Sequence, residues 1–172
     1  MARLFFAAGA VCIGMSKDTI NATITIPASA EAVFGVLADP TTHAAIDGTG
    51  WVRESLDGKS LTEPDQIFRI AMYHDNHPDK NYEMANKVVV FDRPHAIAWL
   101  PGNDREDGQL SFGGWIWRYD IADAGPSQAD VTLTYDWSAV PAELREHIQF
   151  PPFEPAHLDN SLANLSDLAT SR

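Results

Sequence analysis

Histidines are the side chains in this sequence best suited to proton transfer near neutral pH, and His74 is the best placed of them. It follows Phe68, Ile70 and Met72 along one face of an alternating run, so the pattern sends it inward beside apolar neighbours. An imidazole there suits acid–base work on an enolisable ketone, or a polar contact with a ligand. At the end of its strand it suits plain solvation equally well. Tyr82, Asn86 and Tyr135 are further inward polar tips able to orient a carbonyl or hydroxyl. His43 and Asp47 stand four residues apart on a short helix. They read either as a base oriented by a carboxylate or as a helix end tied down before the Gly48–Gly50 turn, and the second reading is preferred.

Asp75, His77 and Asp79 flank His74 and raise the question of a metal. The cluster lacks a thiolate and surrounds Pro78 in a turn, which is a poor ligand set for zinc. His147 and His157 form no spacing motif. There is no phosphate-binding glycine loop and no nucleophile elbow, so no cofactor and no metal are expected. The single cysteine, Cys12, forms no internal disulfide, which fits a reducing compartment such as the cytoplasm.

The elements that position these residues follow from periodicity. Ile20, Ala22, Ile24 and Ile26 alternate with polar residues, giving a half-buried strand over Thr19–Pro27. Ser29 then caps a short helix running to Ala38, Asp39-Pro40 breaks it, and a second short helix covers Thr41–Ile46. Strands are expected near Trp51–Leu56, Gln66–His74, Tyr82–Phe91, Ala96–Leu100, Gly114–Ala122 and Asp130–Trp137. The polar stretch Pro101–Phe112 reads as a mobile loop or cavity rim. A short helix over Pro141–Ile148, a proline-rich bend and an amphipathic helix over Ala156–Ala169 close the chain, the last with Leu158, Leu162, Leu165 and Ala169 on one face.

Alternation also assigns faces. Trp115, Trp117, Tyr119 and Ile121 share one face; Val131, Leu133, Tyr135 and Trp137 another. Tyr82, Met84, Asn86, Val88 and Val90 form a third, joined by Ile97 and Trp99. The architecture is therefore α+β: a curved antiparallel sheet closed by a terminal helix. One helix fills such a sheet poorly, and aromatic walls with scattered polar tips are the usual make-up of a ligand pocket.

Length and composition set bounds. The 172 residues suit one domain, residues 16–172, with an ordinary 45% hydrophobic and 21% charged content. A net charge of −12 argues against nucleic acid and anionic membrane surfaces as partners. Residues 1–15 read as an apolar leader outside the fold, too short to span a bilayer. Ala8-Gly9-Ala10 mimics a signal-peptidase site, but translation from Met15 is the preferred reading.

The string Ile24–Val52 resembles the opening of START-like SRPBCC proteins, close to the polyketide cyclase/dehydrase group. The likeness rests on Ala30-Glu31-Ala32-Val33-Phe34, Leu37-Ala38-Asp39-Pro40, His43, Ile46-Asp47-Gly48 and Gly50. Val90–Pro94, Trp117-Arg118-Tyr119 and Thr134–Ser138 agree with it further along. The resemblance implies a helix-grip fold, an antiparallel sheet wrapped round a long C-terminal helix with two short helices after the first strand. It also implies a hydrophobic cavity, but no single activity.

The expected function is binding of a hydrophobic or aromatic small molecule, such as a lipid, polyketide or related metabolite. The residues expected to contact it are Trp51, Met72, His74, Tyr82, Met84, Trp99, Trp115, Trp117 and Tyr135. The alternatives are a dehydratase or cyclase using the same pocket, and a protein-binding module of chaperone-activator type.

Overall fold

The chain alternates apolar and polar residues over most of its middle, and a computed structural model, which describes residues 12–171, resolves that alternation into one large sheet. Eight antiparallel strands lie in the order β1-β2-β10-β9-β6-β5-β4-β3. They are β1 (Cys12–Met15), β2 (Thr19–Ile26), β3 (Val52–Ser55), β4 (Ile67–Tyr73), β5 (Asn81–Asp92), β6 (Ala96–Leu100), β9 (Ile116–Gly125) and β10 (Gln128–Asp136). The second strand, β2, is set beside the last, β10, by a register from Thr19↔Asp136 to Ile26↔Ala129. Long-range pairing of this kind places the N-terminal third of the chain against its C-terminal third.

The helices fill the crossovers. Ser29 accepts a hydrogen bond from the Ala32 amide at 3.1 Å and so caps α1 (Ala30–Leu37). Asp39 accepts from the Thr41 amide and starts a 3₁₀ turn, Pro40–Thr42, that leads directly into α2 (His43–Ile46). After β10 come α3 (Ala142–Arg145) and α4 (Ala156–Thr170). Leu158, Leu162 and Leu165, all fully buried, form the stripe that α4 lays on β2, β10, α1 and α2. Ile20, Ile26, Val33, Phe34, Leu37 and Leu133 complete the core beneath it.

Several expectations change, among them the helix read over Pro141–Ile148, which is helical only over Ala142–Arg145. Cys12–Met15, read as part of a leader, form the edge strand β1, paired with β2 from Cys12↔Thr23 to Met15↔Ile20. The earlier leader residues and the Ala8-Gly9-Ala10 string lie outside the described residues. The stretch read as a mobile rim folds as a two-stranded hairpin, β7 (Gly102–Asp104) with β8 (Leu110–Phe112). Arg69 anchors it through a bidentate ion pair to Asp104, with both bonds at 2.9 Å. Finally, Val90 does not face inward. The register slips between Val88 and Val90, leaving Val89 exposed, so Phe91 takes the inward place opposite Ile97 and packs edge-on against Phe34. The closing helix also runs one residue further than expected, to Thr170.

Two glycines predict opposite signs of effect. A Cβ at Gly48, at the turn after α2, would lie 2.7 Å from the His157 carbonyl oxygen and 2.8 Å from Asn160 Cβ, both on α4. Gly48→Ala is expected to cost about 1–3 kcal/mol through this overpacking. Gly35, inside α1, faces open space, so Gly35→Ala is expected to stabilise by up to about 1 kcal/mol through helix propensity. Urea unfolding of the two variants checks both signs.

Candidate functional site

Beyond the stripe that α4 covers, the strands turn a set of large side chains toward one another. Direct partners across an antiparallel ladder share a face, and the register makes those partners consistent. Met72 pairs with Tyr82, Ile70 with Met84, and Phe68 with Asn86. Trp117 lies between Trp99 on one side and Tyr135 on the other. These side chains wall a cavity of about 430 Å³. All nine residues singled out from the sequence, namely Trp51, Met72, His74, Tyr82, Met84, Trp99, Trp115, Trp117 and Tyr135, lie on its lining.

The helices and a covering segment supply the rest. His43 and Ile46 come from α2, and His157 and Ser161 from α4. Ile148, Phe150, Pro152 and Phe153, from the bend between α3 and α4, cover the space. Phe153 stacks on Trp117 with centroids 5.4 Å apart, and Phe150 lies 5.9 Å from Trp115. The segment is anchored on one side by Arg145, which donates to the carbonyls of Val140 and Trp137 and to Asp18. This cover was missed in the sequence because proline-rich backbone has no period to read. Its aromatic residues among prolines were the only available sign.

Four of the six histidines line the cavity: His43, His74, His77 and His157. His43 is buried, stacks on Trp99 at 5.0 Å and meets Phe68 edge-on. Its Nε2 lies 2.8 Å from the Leu37 carbonyl oxygen. A carbonyl only accepts, so Nε2 carries the proton and Nδ1 a lone pair. Burial lowers the pKa of His43; the Leu37 bond and the charge of Asp39 oppose the shift. The imidazole is thus a neutral base set in the wall.

Asp47 does not orient it. The Asp47 carboxylate accepts from the Thr49 amide and hydroxyl and from the Val52 amide, at 2.8 to 3.1 Å. It ties the turn after α2, the reading preferred from the sequence. His157 packs edge-on against Trp117 and Phe153. Its Nδ1 is buried with no hydrogen-bond partner among the described residues. Burial lowers its pKa too, against the pull of Asp47. Burial pushes the phenols of Tyr119 and Tyr135 well above their ordinary range, with Asp47 adding to the shift at Tyr119. Both hydroxyls therefore stay protonated. Among the described residues no cluster of three or more His, Cys, Asp or Glu could hold a metal, and no helix is long and apolar enough to cross a membrane.

No family model matches the sequence. Two Mycobacterium tuberculosis proteins, Rv0088 and MT0096, are each 24% identical over 153 residues, covering 86% of this chain. The chain spans 62% of the length of these curated relatives. Among solved structures, a Rhodobacter sphaeroides protein superposes with TM-score 0.65 at 12% identity, over 95% of this chain and all of the other. Norcoclaurine synthase from Thalictrum superposes with TM-score 0.60 at 14% identity, over 94% of this chain and 97% of the synthase. Ms6760 from Mycobacterium smegmatis gives 0.56 at 16% identity, over 96% and 94%. The chain has the fold these proteins share, a large antiparallel sheet with few helices, of the Bet v1/SRPBCC type.

His43 makes stability depend on pH. Its pKa in the folded chain lies below the ordinary 6.5, so the unfolded chain binds more protons as the solution is acidified. The contribution of its burial is present above pH 6.5 and is lost as pH falls below it. The urea midpoint should therefore drop between pH 7 and pH 5. His43→Phe, which keeps the ring but cannot titrate, should flatten that drop; an unchanged slope would show that His43 does not carry it.

Proposed function

We propose that this protein binds an apolar or aromatic small molecule, of lipid, polyketide or related type, inside the cavity. We also propose that it belongs to the START-like SRPBCC superfamily, with α4 as the gripped helix. The observation that carries the reading is the cavity itself: about 430 Å³, within the range of small-molecule sites, walled by four tryptophans, three tyrosines and two methionines. The likeness in fold to norcoclaurine synthase supports ligand binding in general.

A second reading, an enzyme of dehydratase or cyclase type using the same space, is favoured by one feature. His43 offers a neutral imidazole with a fixed tautomer at the wall. It is the group best suited to take a proton from carbon next to a carbonyl.

Native mass spectrometry of the purified protein, followed by extraction, tests the first reading. A co-purifying hydrophobic compound supports it and supplies a ligand for titration. Trp117→Ala should then weaken that ligand about tenfold or more, since the ring contacts Tyr135, Phe153 and the cavity together. Unchanged affinity in a folded variant would place the ligand elsewhere. Turnover that is abolished in His43→Phe while the ligand still binds would establish the second reading.

A further inference from the structure

The hydrogen-bonding character of the cavity wall can be read from its tautomers. His74 and His77 belong to the loop between β4 and β5, where each is half-buried and followed by an exposed residue. The Asn76 amide donates to His74 Nδ1 at 3.0 Å, and the Asp79 amide donates to His77 Nδ1 at 3.2 Å. A backbone N–H only donates, so both Nδ1 atoms carry lone pairs and both Nε2 atoms carry protons. Aromatic neighbours hold the rings in place. His74 lies edge-on to Trp51 at 4.6 Å, and His77 stacks on Tyr82 at 4.2 Å with 14° between planes. All four side chains line the cavity.

Deeper in, two phenols add donors opposite the lone pair on His43 Nδ1. Tyr119 and Tyr135 are buried and keep their hydroxyl protons, and neither donates them to a partner among the described residues. The wall therefore offers several N–H and O–H donors. Its one carboxylate, Asp47, already accepts from Thr49 and Val52. Charge is equally one-sided: no Lys or Arg is among the lining residues, and Asp75 and Asp79 flank the two histidines. Lys80, at the end of the same loop, is exposed and outside the lining. An anionic head buried here would meet donors but no cation, and charges are costly to bury unpaired.

Resting on the proposed binding function, we infer that the cavity selects uncharged aromatic ligands bearing a carbonyl, with the carbonyl oxygen accepting from the Nε2–H groups of His74 and His77. Fatty acids and other carboxylates are selected against. His77 thereby becomes a specificity-determining residue, through a tautomer set by the backbone of its own loop.

Calorimetric titration with three naphthalenes of similar shape tests this: 2-acetylnaphthalene, 2-ethylnaphthalene and 2-naphthoate, at pH 8. The ketone should bind about five- to tenfold more tightly than 2-ethylnaphthalene, the gain of one net hydrogen bond. It should also bind more tightly than 2-naphthoate. The double variant His74→Phe/His77→Phe keeps aromatic rings at both places and should bring the ratio of ketone to 2-ethylnaphthalene affinity down to about one, whatever it does to the affinity for the hydrocarbon itself. That hydrocarbon also reports whether the variant is folded. Equal affinity for ketone and hydrocarbon, or tightest binding of the carboxylate, overturns the inference and leaves the cavity a binding site. Failure of all three to bind overturns the inference and the binding function together.

Discussion

One helix cannot cover an eight-stranded sheet. Strands about 4.8 Å apart spread eight of them over roughly 34 Å, whereas a helix is about 10 Å wide. α4 lies over β2 and β10 and meets α1 and α2 on its far side. α1 packs on part of β6, β9 and β10, so much of the inward face of β4, β5, β6 and β9 is left without a helix. Everything at the site follows from that mismatch in width. Large rings on those strands shrink the gap, the α2 turn closes one side, and the bend from Ile148 to Phe153 closes another. What remains is the cavity.

The gap has an energetic cost, and its chemistry shows how that cost is distributed. An apolar void forfeits dispersion contacts along its lining, while His157 Nδ1 is buried in that lining with no hydrogen-bond partner among the described residues. Each unsatisfied buried polar group is worth about 1–3 kcal/mol. Such departures from close packing and polar satisfaction concentrate where a protein meets its ligand. Elsewhere the molecule is conventional: Thr23 meets Thr132 across β2 and β10, Thr25 donates to Asp130, and Arg118 grips Asp120 on the outer face.

Most of the strands were legible because alternation survives in them. Ala96–Leu100 emerged with the expected ends, and the inward rings of β4, β9 and β10 followed from period 2 alone. Alternation failed at Val89, where an inserted residue inverted the phase and sent Phe91 rather than Val90 inward. No composition announces such a bulge. The β7–β8 hairpin was hidden because its strands are three residues each, too short to show a period, and Arg69–Asp104 pairing fixes it from a distant strand. His43 was read as part of a helix end, yet it stacks on Trp99, fifty-six residues away in sequence. The part of the site that was hardest to read is the part built from irregular chain, Ile148 to Phe153, whose place is set by tertiary contact rather than local pattern.

The distribution of indole rings has an optical consequence. Four of the five tryptophans, Trp51, Trp99, Trp115 and Trp117, line the cavity, whereas Trp137 is buried in the core. The chain therefore carries most of its indole fluorophores along one cavity wall. Emission from this molecule is chiefly a report on the cavity wall, and the fifth indole, set in the core outside that lining, supplies an internal reference.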